Sequence, residues 1–154
     1  MPEQSNGNIK ALKILHSALM MGVVMFGAIA FFLVYANHTS PVTGLDKPLQ
    51  VIALILCAAG MYFSNKLFKQ QIETIKQSGD SVKEKINKFR AACIMQWALL
   101  EGPALFTVIA LFLTCNYAFL ILAGIMICAL YIAGPSKQRI MQHLHLNEID
   151  GEQL

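Results

Sequence analysis

One residue of this 154-residue sequence has an unusual chemical setting: Glu101, the only acidic residue inside the apolar blocks of the chain. It lies ten residues beyond Ala91, where one of these blocks begins. If that block is a membrane helix, its rise of about 1.5 Å per residue places the carboxyl about 15 Å into a hydrocarbon core about 30 Å thick. A charge there costs at least about 2.5 to 3.5 kcal/mol, and no Lys or Arg of the apolar blocks can pair with it. We expect Glu101 to be protonated at rest or to face a wet cavity.

Two interpretations of Glu101 are open. A lone carboxyl in mid-membrane is a means of binding and releasing H⁺ or Na⁺, whereas a neutral Glu can hydrogen-bond a neighbouring helix and fix its register. Pro103, two residues later, removes a backbone donor and frees the carbonyl of Leu99. That carbonyl can accept a hydrogen bond or bind a cation with help from Glu101. Glu101 and Leu99 are therefore the predicted ion-binding residues.

The composition indicates the membrane. Apolar residues make up 56% of the chain and charged residues 14%, against about 45 to 50% and about 25% in soluble proteins. The apolar residues fall in four blocks, and each block with its flanks can reach the roughly 20 residues that a membrane helix needs. We predict an all-α polytopic membrane protein, a single membrane domain over residues 1–154 with four transmembrane helices. The four blocks are approximately 14–36, 49–64, 91–115 and 117–134.

The basic residues predict the orientation. Eleven of the twelve Lys and Arg lie before the first block, between the second and third, or after the fourth, and only Lys47 lies on the other side. By the positive-inside rule both termini are cytoplasmic, in the cell (inner, cytoplasmic) membrane. The formal charge of +3 is spread along the membrane edges, which excludes nucleic-acid binding by a compact basic face.

The other residue types give no sign of cofactor, metal or enzyme chemistry. The sequence has no CxxC pair, its four histidines are scattered, and its four cysteines lie within or at the end of the apolar blocks. No nucleophile with a matching base is visible. We predict no catalytic residues, no metal site and no cofactor.

An internal repeat organises the apolar blocks. A shift of 80 residues sets 11–33 against 91–113 with 10 identities in 23 ungapped positions. Seven of the identities step by three or four residues and so form one helix face. We predict a duplicated helical hairpin, with repeat one over 11–72 and repeat two over 91–140, related by a pseudo-twofold axis along the membrane normal.

The shared face carries small residues at helical spacing. Small-xxx-small pairs let the backbones of membrane helices approach closely. We predict that spans one and three pack on each other through this face, or that each forms the same contact in a homo-oligomer or with other membrane subunits. The predicted packing residues are Ala18, Gly22, Phe26, Ala98, Gly102 and Phe106.

Residues 68–90 predict a cytoplasmic helical connector. Ser81, followed three residues later by Glu84, is a capping box that restarts a helix after a break at 78–80. The connector is either a solvated hairpin or a docking surface for a soluble partner or for anionic lipid headgroups. Residues 135–154 are predicted to form a cytoplasmic tail. Two apolar stripes let the connector helices pack: Phe68, Ile72 and Ile75, and Val82, Ile86 and Phe89.

Residues 98–106 read Ala-Leu-Leu-Glu-Gly-Pro-Ala-Leu-Phe. This segment resembles the carboxylate helix of the proteolipid (c-type) subunits of rotary ATPases, whose pattern is Ala-Leu-x-Glu followed by small and apolar residues. The likeness is local and covers residues 98–113. It implies that Glu101 carries H⁺ or Na⁺ in a ring of subunits.

Two functions are compatible with these patterns. The first is a small integral membrane protein that packs as an accessory subunit of a membrane complex and binds H⁺ or Na⁺ at Glu101. The alternative is an autonomous small transporter that uses the same carboxylate, as small multidrug exporters use one membrane Glu across four short helices. Glu101 at subunit contacts favours the first, and a water-filled cavity around Glu101 favours the second.

Overall fold

The computed structural model describes the backbone of residues 3–135 and the side chains of residues 10–135. Within this range the chain is all-helical and contains no strand, which confirms the all-α part of the predicted fold class. The predicted tail and the last part of repeat two fall in 136–154, outside the described residues. The four helices are α1 (Glu3–Tyr35), α2 (Asp46–Gln77), α3 (Val82–Thr114) and α4 (Ala118–Ile132).

Three helices are long and apolar enough to cross a membrane: α1 from Lys10 onward, α2 and α3. α2 and α3 have 32 and 33 residues, or about 48 to 50 Å at about 1.5 Å per residue, so each can extend beyond a hydrocarbon core of about 30 Å. α4 is the most apolar helix but has 15 residues, or about 22 Å. These lengths indicate an integral membrane protein with three full-length candidate spans and a shorter fourth apolar helix.

α3 is the central helix and packs against the other three. The His16 ring of α1 lies beside the Trp97 ring of α3, and Gly27 of α1 lies beside Val108 of α3. Both steps, from 16 to 27 and from 97 to 108, are eleven residues in the same direction. α1 and α3 therefore run parallel at the same height.

The helix packing differs from the predicted pair of equivalent hairpins. α3 and α4 pack on each other, whereas α1 packs on α3 and α4 and hardly touches α2. α2 instead approaches α3 closely at Gly60. A Cβ atom at Gly60 would lie 2.8 Å from both the carbonyl oxygen of Leu99 and Cγ of Pro103, so only glycine allows this approach.

The connector forms as its sequence predicts, as extensions of α2 and α3. α2 ends at Gln77 and α3 begins at Val82, with a capping box in which the Ser81 backbone N–H donates to the Glu84 carboxylate at 3.1 Å. The two apolar stripes face each other. Their residues are buried (Phe68, Ile72, Ile75 and Phe89) or half-buried (Val82 and Ile86).

Candidate functional site

Glu101 lies midway along the apolar part of α3, at the edge of the contact with α1. The residue one turn before it, Trp97, stacks on His16 of α1, with ring centroids 4.7 Å apart. The residue directly after it, Gly102, is exposed, and a Cβ atom added there would meet nothing within 4 Å. Glu101 itself is half-buried. Its side chain thus stands between the bundle and the surface that faces lipid or another chain.

The Glu101 carboxyl makes no hydrogen bond within the part of the chain that the structure describes. The nearest polar ring on α1, that of His16, is engaged elsewhere, because its Nε2 lies 3.0 Å from the carbonyl oxygen of Leu130. An uncompensated charge at this depth is strongly unfavourable. This position therefore favours a neutral carboxyl or a partner from outside the described chain.

The structure does not bring the Leu99 carbonyl together with Glu101. That carbonyl points into the contact with α2, where Gly60 covers it. Successive residues of a helix are rotated by about 100°. Leu99 and Pro103, each two residues away from Glu101, therefore lie on roughly the opposite side of α3. The predicted cation site shared by Leu99 and Glu101 is therefore not formed. Glu101 remains as the candidate.

The predicted packing face does not join spans one and three. Ala18, Gly22, Ala98 and Gly102 are all exposed, and no atom lies within 4 Å of a Cβ built at either glycine. Phe26 is 40% exposed and Phe106 is half-buried. The prediction of this contact within one chain is wrong. Its other form, the same face used in a homo-oligomer or against other subunits, stays a prediction.

α1 meets α3 and α4 through the neighbouring face of its helix. The buried positions of α1 recur at helical spacing, about a third of a turn away from the predicted stripe. Between them lies Gly27, where α1 approaches α3 closely: a Cβ atom added there would lie 3.7 Å from Cγ2 of Val108. The sequence signal for this face was the same three- and four-residue spacing, shifted by one position. Its residues are Leu12, His16, Val23, Ala30 and Val34.

Two buried hydrogen bonds at the end of α4 were not predicted from the sequence. The Trp97 indole N–H donates to the carbonyl oxygen of Ala133 at 3.0 Å. The Nε2 atom of His16 lies at hydrogen-bond distance, 3.0 Å, from the carbonyl oxygen of Leu130. Leu130 lies in the last turn of α4 and Ala133 is its C-cap residue, positions whose carbonyls are commonly satisfied by side chains of neighbouring elements. His16 and Trp97 therefore fix the end of α4 against α1 and α3. The sequence feature that could have indicated these contacts is a His and a Trp at the same depth in two apolar blocks.

The other polar side chains of the helices do not converge on Glu101. Gln96 is buried on the side of α3 that faces α2, whereas Ser17, Tyr62 and Tyr131 are exposed. No three His, Cys, Asp or Glu side chains among those described come together as a metal site requires. The chemistry that this arrangement offers is protonation or ion exchange at one carboxyl.

No known protein family, no curated protein and no solved structure matches this chain. The likeness of residues 98–113 to rotary-ATPase proteolipids therefore stays a prediction.

Proposed function

We propose that this chain is a small helical subunit of a membrane complex and that it exchanges H⁺ or Na⁺ at Glu101, where it meets another subunit. One observation carries the proposal. Glu101 lies in the middle of the apolar part of α3, half-buried, with no hydrogen-bond partner in the described chain. In the proposed topology α4 is the fourth span and both termini are cytoplasmic.

The absence of a hydrogen-bond partner for Glu101 among the described residues favours exchange over a structural role. A Glu that fixes helix register does so through a hydrogen bond to a neighbouring helix. The helix next to Glu101 is α1, and no α1 side chain donates to the carboxyl in the described structure. A carboxyl that no bond holds in place is able to take up and release an ion when water or a partner reaches it.

The exposed face beside Glu101 favours a complex. α1 and α3 are parallel and level, so the small residues Gly22 and Gly102 stand at the same depth on one chain. In lipid, such residues promote association because they let a second helix approach closely. A helix that packs on Gly102 also reaches the neighbouring Glu101. The ion site and the subunit contact are then one surface.

An autonomous exporter finds less support. Such a protein needs a wet passage to its carboxyl. The bundle has a polar-lined cavity, but Gln96 and Leu100 line it and Glu101 does not. Glu101 instead faces the surface of the bundle next to Gly102.

The test is labelling of purified full-length protein with a hydrophobic carbodiimide, which modifies protonated carboxyls in apolar surroundings. The labelled peptide is identified by mass spectrometry across a pH series and a Na⁺ series, with K⁺ at equal ionic strength. Glu101→Gln, which has no carboxyl at this position, is the negative control. Met21→Glu in the Glu101→Gln background is a matched control, because it places a carboxyl at the equivalent, exposed position of α1.

We expect labelling at Glu101 that falls as pH rises, and a further fall on adding Na⁺ would identify the ion as Na⁺. Labelling at residue 21 should be insensitive to Na⁺. The proposal fails if folded protein is not labelled at Glu101 at any pH and Glu101→Gln assembles as the parent does. Glu101 would then be a residue without an ion-binding role.

A further inference from the structure

A cavity of about 200 Å³ lies among α2, α3 and α4, apart from Glu101. Its polar wall consists of Ser64 and Asn65 of α2 and Gln96 of α3. Its apolar lining includes Met61 and Leu100. Polar side chains of α2 and α3 meet at this cavity.

The polar wall can hydrogen-bond a ligand in addition to its internal bonds. Ser64 and Asn65 donate to the carbonyl oxygen of Met61 at 3.1 and 2.9 Å, and the Gln96 amide donates to Asn65 at 3.4 Å. The last distance is long, against about 2.9 Å for a typical bond. An amide has two donors and two acceptor pairs, and a hydroxyl that donates still accepts. Ser64 is 0% exposed, so the acceptor capacity of its hydroxyl is directed into the bundle, and the exposed Asn65 presents its amide at the rim.

The lining selects an uncharged ligand. No described side chain that lines the cavity is charged, so an ion that entered would lose its hydration without gaining a counter-charge from these residues. A volume of about 200 Å³ corresponds to six or seven water molecules at about 30 Å³ each. That space suits a small hydroxyl- and ester-bearing group and is too small for a whole lipid.

The cavity opens sideways, between α2 and α4. Asn65 and Ile132 stand at its rim, and Ile132 is 79% exposed on the outer surface of α4. Asn65 directly precedes Lys66, and Gln96 follows Arg90 by six residues. The cavity thus lies where the apolar blocks begin, which is the depth of the glycerol and ester groups of a bilayer.

We propose that this cavity binds the glycerol-ester part of an uncharged membrane lipid, of the diacylglycerol class. The lipid hydroxyl and ester oxygens contact Ser64, Asn65 and Gln96, and the acyl chains pass out along α2 and α4 beside Ile132. The proposal does not depend on Glu101.

The experiment is native mass spectrometry of the full-length protein in detergent, titrated with dioleoylglycerol. Dioleoyl phosphatidic acid has the same esters with a charged head, and free glycerol supplies the polyol from water. Gln96→Leu removes the buried amide, and Ala129→Phe fills the cavity. Gln50→Leu and Ala58→Phe make the same changes at positions of α2 that do not line it.

We expect one dioleoylglycerol per chain, binding weakened by at least about tenfold in Gln96→Leu and Ala129→Phe, and no change in the two controls. Phosphatidic acid should bind at least about tenfold more weakly, and glycerol alone should not bind at the same concentration. Glu101→Gln should bind dioleoylglycerol as the parent does, which separates this proposal from the ion-exchange proposal.

Three results would overturn the proposal: equal binding by all variants, phosphatidic acid bound as tightly as dioleoylglycerol, or glycerol bound without acyl chains. If Gln96→Leu does not fold, Asn65→Ala takes its place, because Asn65 is exposed at the rim and its loss leaves the core intact. Unchanged binding by a folded Asn65→Ala and a folded Ala129→Phe would equally contradict a site in this cavity.

Discussion

α1 and α3 match in sequence and run side by side, yet they have different positions in the bundle. α3 contacts all three other helices, whereas α1 packs only on α3 and α4. In the span-length part of each helix 22% of the α1 residues are buried, against 44% for α3. The matching residues therefore do not determine how deeply a helix is buried.

The residues that differ between the two helices build the core. Of the ten identical pairs, one, Ala30 with Ala110, is buried in both helices. Where α3 packs most tightly, Trp97 stands in place of Ser17 and Pro103 in place of Val23. The repeated residues mostly make an outward surface. This is what a surface for another membrane helix requires, and it places Glu101 of α3 beside that surface.

The largest expected effect comes from Trp97→Ala compared with Ser17→Ala, its counterpart on α1. Trp97 is fully buried, stacks on His16 and donates to the Ala133 carbonyl. Its removal leaves a cavity and releases the end of α4, so we expect a loss of about 3 to 5 kcal/mol. Ser17 is exposed, and its loss should change stability by less than about 0.5 kcal/mol. Equilibrium unfolding in mixed detergent measures both.

Trp97→Phe refines this comparison, because it keeps a ring against His16 and removes the indole donor. We expect an intermediate loss, since a single hydrogen bond contributes about 0.5 to 1.5 kcal/mol. If Trp97→Ala and Ser17→Ala were equally mild, α3 would not be the central helix that the structure describes.

The second test concerns the close packing of α2 on α3 at Gly60. In Gly60→Ala the new Cβ would lie 2.8 Å from the Leu99 carbonyl oxygen and from Pro103, so the helices must separate. We expect a loss of about 1 to 3 kcal/mol. Gly124→Ala is the matched control on α4, where nothing lies within 4 Å. It should be neutral or stabilise by up to about 1 kcal/mol through helix propensity. Equal unfolding midpoints for the two variants would contradict the close approach at Gly60.

The sequence predicted the local features of this fold well. Helix boundaries near 78–80 follow from the capping box at Ser81, and the packing of Phe68 on Phe89 follows from apolar stripes flanked by lysines in water. In both cases polar and apolar residues contrast along the chain. The break, the capping box and the stripe contacts are all present in the structure.

The sequence could not identify which membrane face packs. Lipid tails are as apolar as a protein core, so a buried face and a lipid-facing one carry the same residue types. The repeated stripe through Gly22 and Gly102 was therefore as plausible as the stripe one position away that is buried. The fit of Gly60 on Pro103 joins residues far apart in the chain, and neither residue alone indicates it. The place of Glu101 in the middle of an apolar block needed only counting, whereas the structure was needed to show that no described residue hydrogen-bonds its carboxyl.

The third test concerns the repeated face itself. Gly22→Leu with Gly102→Leu adds two large side chains where a Cβ meets nothing, so the folded chain should keep its unfolding midpoint. If the face joins subunits, association should weaken by at least about tenfold, or about 1.4 kcal/mol. Gly124→Leu on α4 is the control. Association is measured as energy transfer between labelled copies of the protein in liposomes, over a series of protein dilutions. Equal association of double variant and control would reduce the repeated face to a lipid-facing one.

The smallest effect is expected where α3 continues beyond its apolar part and packs on α2, a contact that α1 lacks. The Lys88 ammonium donates to the Asp80 carboxylate and holds the pKa of this carboxyl below the ordinary value. Because the folded pKa is lowered, Asp80 stabilises the turn above about pH 4, the ordinary range of Asp, and this contribution is lost as pH falls through the lowered pKa. Asp80→Asn should remove that pH dependence while the helices stay intact.

Asp80 is partly exposed and its partner Lys88 is exposed, so water screens their interaction and the change will be visible locally rather than in global unfolding. Amide exchange of the first turn of α3, followed as pH is lowered, is the appropriate measurement. Lys88→Met removes the principal donor and should raise the pH at which protection is lost toward the ordinary Asp value. If Lys88→Met left that midpoint where the parent has it, the Lys88 ammonium would not be what ties this end of α3 to the turn.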